Sequence, residues 1–251
     1  MRLARAVSVF LATVGLSVAA LGTAALARDG TTAESYRELA RQVSPAAENA
    51  PEGRGAEAVE EGGVDWEVLL AQNPSAVAWL RVAGSTVDVP VLSSTEGDPE
   101  QWLYTDLWGN PSDTGTPYLD HRCQADGELM VVYGHRTAYE SYLFHDVSPL
   151  WEQEALDAAG EATWESRSSG TTTFRPLCAA SVRMDDARWQ PFSSKGADEL
   201  REWLVWACEE ADAVRSDARP LVTRASRALV LVTCNGRAFH PVTRTIAVFV
   251  A

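Results

Sequence analysis

Six short runs of β-branched or alternating apolar residues, separated by Gly, Pro, Asn and Asp clusters, constrain the fold of this 251-residue chain more than any other feature. They are Val87–Leu92, Thr116–Asp120, Leu129–Tyr133, Thr171–Ala180, Ala228–Cys234 and Thr245–Val250. One long helical insert interrupts them: Ala197–Ala211 places Leu200, Trp203, Leu204, Ala207 and Cys208 at helical spacing, with acids and Arg201 elsewhere. The pattern predicts a mostly β fold with added helices, a closed or nearly closed barrel. Ahead of it, Trp66–Gln72 and Ala76–Val82 frame a short helix and the turn into the first strand, with Asn73-Pro74 as the breaker.

The chain divides into three parts. In residues 1–27, Arg2 and Arg5 precede an uncharged stretch from Ala6 to Ala27. As a helix this stretch spans roughly 30 Å of hydrocarbon, and the preceding charges orient the rest of the chain outward. It reads as a membrane anchor. The competing reading is a signal segment cleaved after Ala25-Leu26-Ala27, and both readings imply export. Residues 28–63 have one aromatic, Tyr36, and read as a flexible acidic tether with a short helix around Ala33–Gln42. Residues 64–251 are long enough for one globular domain with a sizeable core. The net charge of −14 argues against nucleic acid as a partner.

The chemistry lies in three residues. Cys234 ends an apolar run, Arg244 opens the next, and Tyr133-Gly134-His135 lies about a hundred residues upstream. Thiol, imidazole and guanidinium are the parts needed for acyl transfer through a thioester. A free thiol is mostly protonated at neutral pH, so Cys234 needs a nearby cation or base. His135 follows a glycine at a strand end, where its ring can face a cleft; His121, His145 and His240 read as surface loop histidines. Arg244 offers a permanently charged fork for a carbonyl or oxyanion. Each has a bland competitor: a buried small hydrophobe for Cys234, a loop histidine, a strand-end arginine paired with an acid.

Taken together, Asn73-Pro74-Ser75-Ala76-Val77-Ala78-Trp79-Leu80, Val87-Asp88-Val89-Pro90-Val91, Gly115-Thr116-Pro117-Tyr118-Leu119-Asp120, Tyr133-Gly134-His135 and Leu231-Val232-Thr233-Cys234 with Arg244 resemble the successive landmarks of sortases. The resemblance covers essentially all of Val64–Ala251 and is greatest to class B. It implies a closed sortase-like barrel with an N-terminal helix and a long helix between the sixth and seventh strands. It also implies a cysteine transpeptidase on the outer side of a cell membrane. Cys234 would cleave the C-terminal sorting signal of a secreted protein through a thioester and pass the acyl group to a peptidoglycan-precursor or pilin amine. His135 would be the general acid and base, and Arg244 would hold the carbonyl oxygen. Tyr133, Leu103 and Thr233 would lie along the substrate groove, with Asp185–Arg227 as one wall.

Two departures stand out. Val230 replaces the first Thr of the Thr-Leu-x-Thr-Cys pattern, and Gly236 stands where class B members often carry an acid. The remaining Cys123, Cys178 and Cys208 leave at least one thiol unpaired; a bridge or two buried hydrophobes both fit Cys178 and Cys208. No metal-ligand spacing or cofactor motif is present, so neither metal nor cofactor is expected. The compact Ser-His-Gly-Cys-x-Arg arrangement of L,D-transpeptidases is not matched. A catalytically silent, surface-anchored β-barrel acting as a binding or structural module is the alternative from another class.

Overall fold

A computed structural model describes residues 32–44, 63–136, 142–192, 196–235 and 243–251. The anchor segment 1–27 lies outside the described residues, as do 28–31 and 45–62 of the tether. Within the tether, residues 32–43 form helix α1, where the short helix was expected.

Helix α2, Trp66–Gln72, starts on Asp65, whose side chain accepts from the backbone N–H groups of Glu67 and Val68. It ends at Asn73, before Pro74. The strands β1 (Ala76–Val82), β2 (Asp88–Ser93), β3 (Tyr118–Leu119) and β4 (Leu129–Tyr133) follow. Then come helix α3 (Gln153–Ala158) and strands β5 (Ala162–Ser166) and β6 (Gly170–Arg183). Helix α4 (Ala197–Glu210), strand β7 (Ala213–Val214) and helix α5 (Ala218–Arg224) fill the insert before β8 (Ala228–Cys234) and β9 (Thr243–Val250).

Eight strands run in the order β5-β1-β2-β3-β4-β8-β9-β6, and pairing of β6 with β5 closes them into a barrel; β7 adds an extra strand on β6. The length of β6 makes closure possible. Its first residues, Gly170–Phe174, pair with β5, and Arg175–Arg183 pair with β9. Pro176, which has no N–H to donate, sits at a register shift within the β9 pairing, between Pro176 and Cys178. The expected barrel and the helix between the sixth and seventh strands are both present. Two details of the sequence reading change. Ala76–Val82, taken into the helix-and-turn entry, is itself a strand held between β2 and β5. Strand β5 had no counterpart among the six runs.

Side chains on β4, β8 and β9 alternate between two faces. Leu129, Val131, Val230, Val232, Ile246, Val248 and Val250 join one apolar cluster with Leu200, Leu204 and Ala207 of α4 and Val222 of α5. Their neighbours Met130, Val132, Leu229, Leu231, Ala247 and Phe249 are equally buried and face the other way, into the barrel. The insert is therefore a lid of helices on the outer face of these strands. Cys178 and Cys208 belong to its packing, and all four cysteines are free thiols. Among the described residues no helix is long and apolar enough to cross a membrane.

Candidate active site

Strand register assembles the candidate site. β8 and β9 are antiparallel, and Cys234 and Arg244 are direct cross-strand partners at the end of their ladder. Such partners present their side chains on the same face. On the other side of β8, the parallel strand β4 places Tyr133 level with Val232. The ladder runs one step further, because the Gly134 N–H donates to the Val232 carbonyl at 3.0 Å. His135 therefore comes level with Cys234, on the face shared by Tyr133, Val232 and Arg244. The apolar cluster under α4 occupies this face lower down; beyond Val232 and Ile246 it turns polar.

Local packing explains the glycine in Tyr133-Gly134-His135. A β-carbon on Gly134 would sit 2.3 Å from the ring of Phe144, which is fully buried. Any larger residue would push Phe144 or the strand end that carries His135. The far end of β8 is held by Asn235, whose amide donates to Ser181 Oγ at 2.6 Å on β6 and whose carbonyl oxygen accepts from Thr243 Oγ1 at 2.5 Å on β9. Asn235 follows the cysteine directly and ties three strands together beside it.

A cavity of about 380 Å³ opens here, and all six residues singled out from the sequence line it: His135, Cys234, Arg244, Tyr133, Leu103 and Thr233. The insert contributes Gln190, whose Oε1 accepts from the Tyr133 hydroxyl at 3.2 Å. Of the expected 185–227 wall, Gln190 is the residue that reaches the cavity among the described residues. Tyr118 packs against Tyr133 with ring centroids 5.3 Å apart. Sequence reasoning missed Gln190 and the charged group Asp120, His121 and Arg122. His121, taken for a surface loop residue, lines the cavity, with Nδ1 3.6 Å from Asp120. Buried Asp120 would resist ionisation, but two 2.7 Å bonds from the Arg122 guanidinium hold its carboxyl below the usual range. The signal for this group was the Asp120 that ends a landmark run; its pairing with Arg122 was not legible from the run itself.

The electrostatics favour neutral partners at rest. Burial pushes the Cys234 thiol up, and the positive charges of Arg244 and Arg136 offset this only in part. Burial and the charge of Arg244 push His135 down, against the pull of the Asp113 carboxylate. Among the described residues, no carboxylate hydrogen-bonds His135 and none pairs with Arg244, so the paired-arginine reading of Arg244 finds no acid. Arg136, next to His135, is a second cation acting on Cys234 that sequence reasoning missed. Thr233 is 2% exposed, and its Oγ1 has no hydrogen-bond partner among the described residues. A half-buried thiol beside an imidazole, with an uncommitted guanidinium opposite, is an arrangement suited to acyl transfer.

No protein-family model matches the sequence, and no curated protein sequence matches it. Solved structures do. Sortase B of Staphylococcus aureus superimposes with a TM-score of 0.65 at 13% identity, covering 90% of this chain and 97% of that one. Sortase B of Clostridium perfringens gives 0.63 at 21% identity, covering 73% and 97%. A Staphylococcus aureus sortase B–substrate complex gives 0.62 at 18% identity, covering 73% and 82%. The chain has the sortase fold, in the form most like class B.

Proposed function

We propose that this chain is an extracytoplasmic cysteine transpeptidase of the sortase type. The observation that carries the reading is the register that sets Cys234, His135 and Arg244 on one face at the mouth of one cavity. The fold shared with sortase B, including one solved with its substrate, supports it.

The reaction proceeds in two acyl transfers. Proton transfer from Cys234 to His135 creates the thiolate, which attacks a backbone carbonyl of the sorting signal. Arg244 hydrogen-bonds the oxygen as negative charge develops on it. As the C–N bond breaks, the imidazolium of His135 gives its proton to the departing amine, leaving a thioester on Cys234. An acceptor amine then attacks the thioester and His135 takes its proton. Cys234 leaves as thiolate and recovers a proton from His135. Tyr133, Leu103 and Thr233 line the course of the donor peptide. The donors are secreted proteins with a C-terminal sorting motif. The acceptors are peptidoglycan-precursor or pilin amines, and residues 1–27 hold the enzyme at the membrane with its catalytic domain outside.

Mass spectrometry of the full chain mixed with sorting-signal pentapeptides and an amine nucleophile tests this. A thioester adduct and an amide product, both lost in Cys234→Ala, are expected. A folded protein whose Cys234 resists alkylation and forms no adduct would instead fit the silent barrel.

A further inference from the structure

Strand register holds His135 from one side, and Tyr104 of the loop between Leu103 and Gly115 meets it from another. The Tyr104 ring lies 5.9 Å from the imidazole, centroid to centroid, with the planes at 59°. Tyr104 is nevertheless 62% exposed, an aromatic side chain at the surface whose recorded ring contact is His135. The loop folds back on itself: Thr105 bridges Pro111, and the Ser112 N–H donates to the Tyr104 carbonyl at 2.9 Å. This pairing carries exposed Asp113 to the same side, where its negative charge favours the imidazolium form of His135. The loop is stiffened from within. Asp106 Oδ1 accepts from the N–H groups of Trp108 and Asn110 at 2.9 and 2.7 Å, and Ser112 Oγ accepts from those of Thr114 and Gly115. Its base is fixed by Gly115 at φ +60°, where a β-carbon would lie 2.2 Å from the Trp102 carbonyl oxygen.

We propose that this loop is the positioning element for His135: the Tyr104 ring sets the plane of the imidazole, and Asp113 supplies a through-space counter-charge for the imidazolium. A directly bonded carboxylate is not needed, and Gly236, two residues after the cysteine, supplies none. The charges acting on His135 oppose each other. Arg244 on β9 disfavours the imidazolium while Asp113 favours it. The loop thus offsets part of the cost of keeping a guanidinium beside a group that must become cationic. Both residues are positioning residues, and the proposal rests on His135 being the proton-transfer group.

The test reads the imidazole first and the activity second. In full-length protein with labelled histidines, with the His135 resonance assigned by its loss in His135→Gln, Asp113→Asn should lower the titration midpoint by about 0.3 to 0.5 pH unit, as expected for a screened surface charge. Tyr104→Phe should keep the ring-current shift of His135, and Tyr104→Leu should lose it. In transfer assays Asp113→Asn and Tyr104→Leu should lower kcat several-fold with KM unchanged, while Tyr104→Phe stays near wild type. An unmoved midpoint in Asp113→Asn, together with kcat within twofold of wild type in Tyr104→Leu, would overturn the proposal. The midpoint and the ring-current shift are measured without substrate. A wild-type chain that transfers nothing while both still respond would therefore overturn the transpeptidase reading and leave the hold of the loop on His135 intact.

Discussion

Cys234 and His135 are shifted in opposite directions, the thiol above its ordinary value of 9.0 and the imidazole below 6.5. The proposed chemistry requires the rarer thiolate and imidazolium together. Between the two values their joint fraction is small but constant. It falls below the His135 value, where both groups are protonated, and above the Cys234 value, where both have lost a proton. Under the proposed function, kcat/KM should therefore be flat across neutral pH, with an acid limb below 6.5 and an alkaline limb above 9.0; a single limb centred near pH 7 would contradict the charges described. Replacing Arg244 by lysine keeps the charge but loses the planar fork. We expect a fall in kcat on the order of 10²-fold, measured with saturating peptide, and little change in the thermal midpoint. Gly134→Ala forces a β-carbon into the Phe144 ring and should cost about 1–3 kcal/mol of stability by overpacking, read by denaturant titration.

At the scale of elements, the strands that build the site were legible because each is an uninterrupted apolar run. Leu129–Tyr133 and Ala228–Cys234 are strands over the residues expected. Burial on both faces, between the barrel interior and the helical lid, makes nearly every position in them apolar. β5 was not legible for the opposite reason. Ala162–Ser166 holds one large apolar residue, Trp164, beside Glu165 and Ser166, and its burial comes from the partners β1 and β6. α4 was legible from its spacing, and its inward residues Leu200, Leu204 and Ala207 are those buried. Truncating the fully buried Leu204 to alanine should cost about 2–5 kcal/mol and loosen the lid, seen as a lower denaturation midpoint.

At the scale of the whole molecule, the shared placement of Cys234, His135 and Arg244 was readable because each sits at a strand end whose parity decides its face. Gln190, Asp113 and Tyr104 were not, since loops folding over the barrel bring them in and no local pattern records that approach. The comparisons divide similarly: the fold is found among solved structures at 13 to 21% identity, while no sequence family matches. Barrel closure tolerates wide change in side chains so long as alternation and lengths are kept. The proposed location is tested by alkaline carbonate washing of membranes, where the full-length chain should stay in the pellet; its release into the wash as a shorter chain starting near Arg28 would exclude an uncleaved anchor.

The strand order also sets a sequence of events in time. β9 lies between β8 and β6, so the ring of strands has a gap until the last strand of the chain inserts, and Arg244 arrives with it. The parallel partner of β8 lies about a hundred residues earlier, a distant pairing that is intrinsically slow to form. Under the proposed function, Cys234 would lack its cross-strand guanidinium until β9 pairs with β8. Closure of the barrel would then also complete the candidate site.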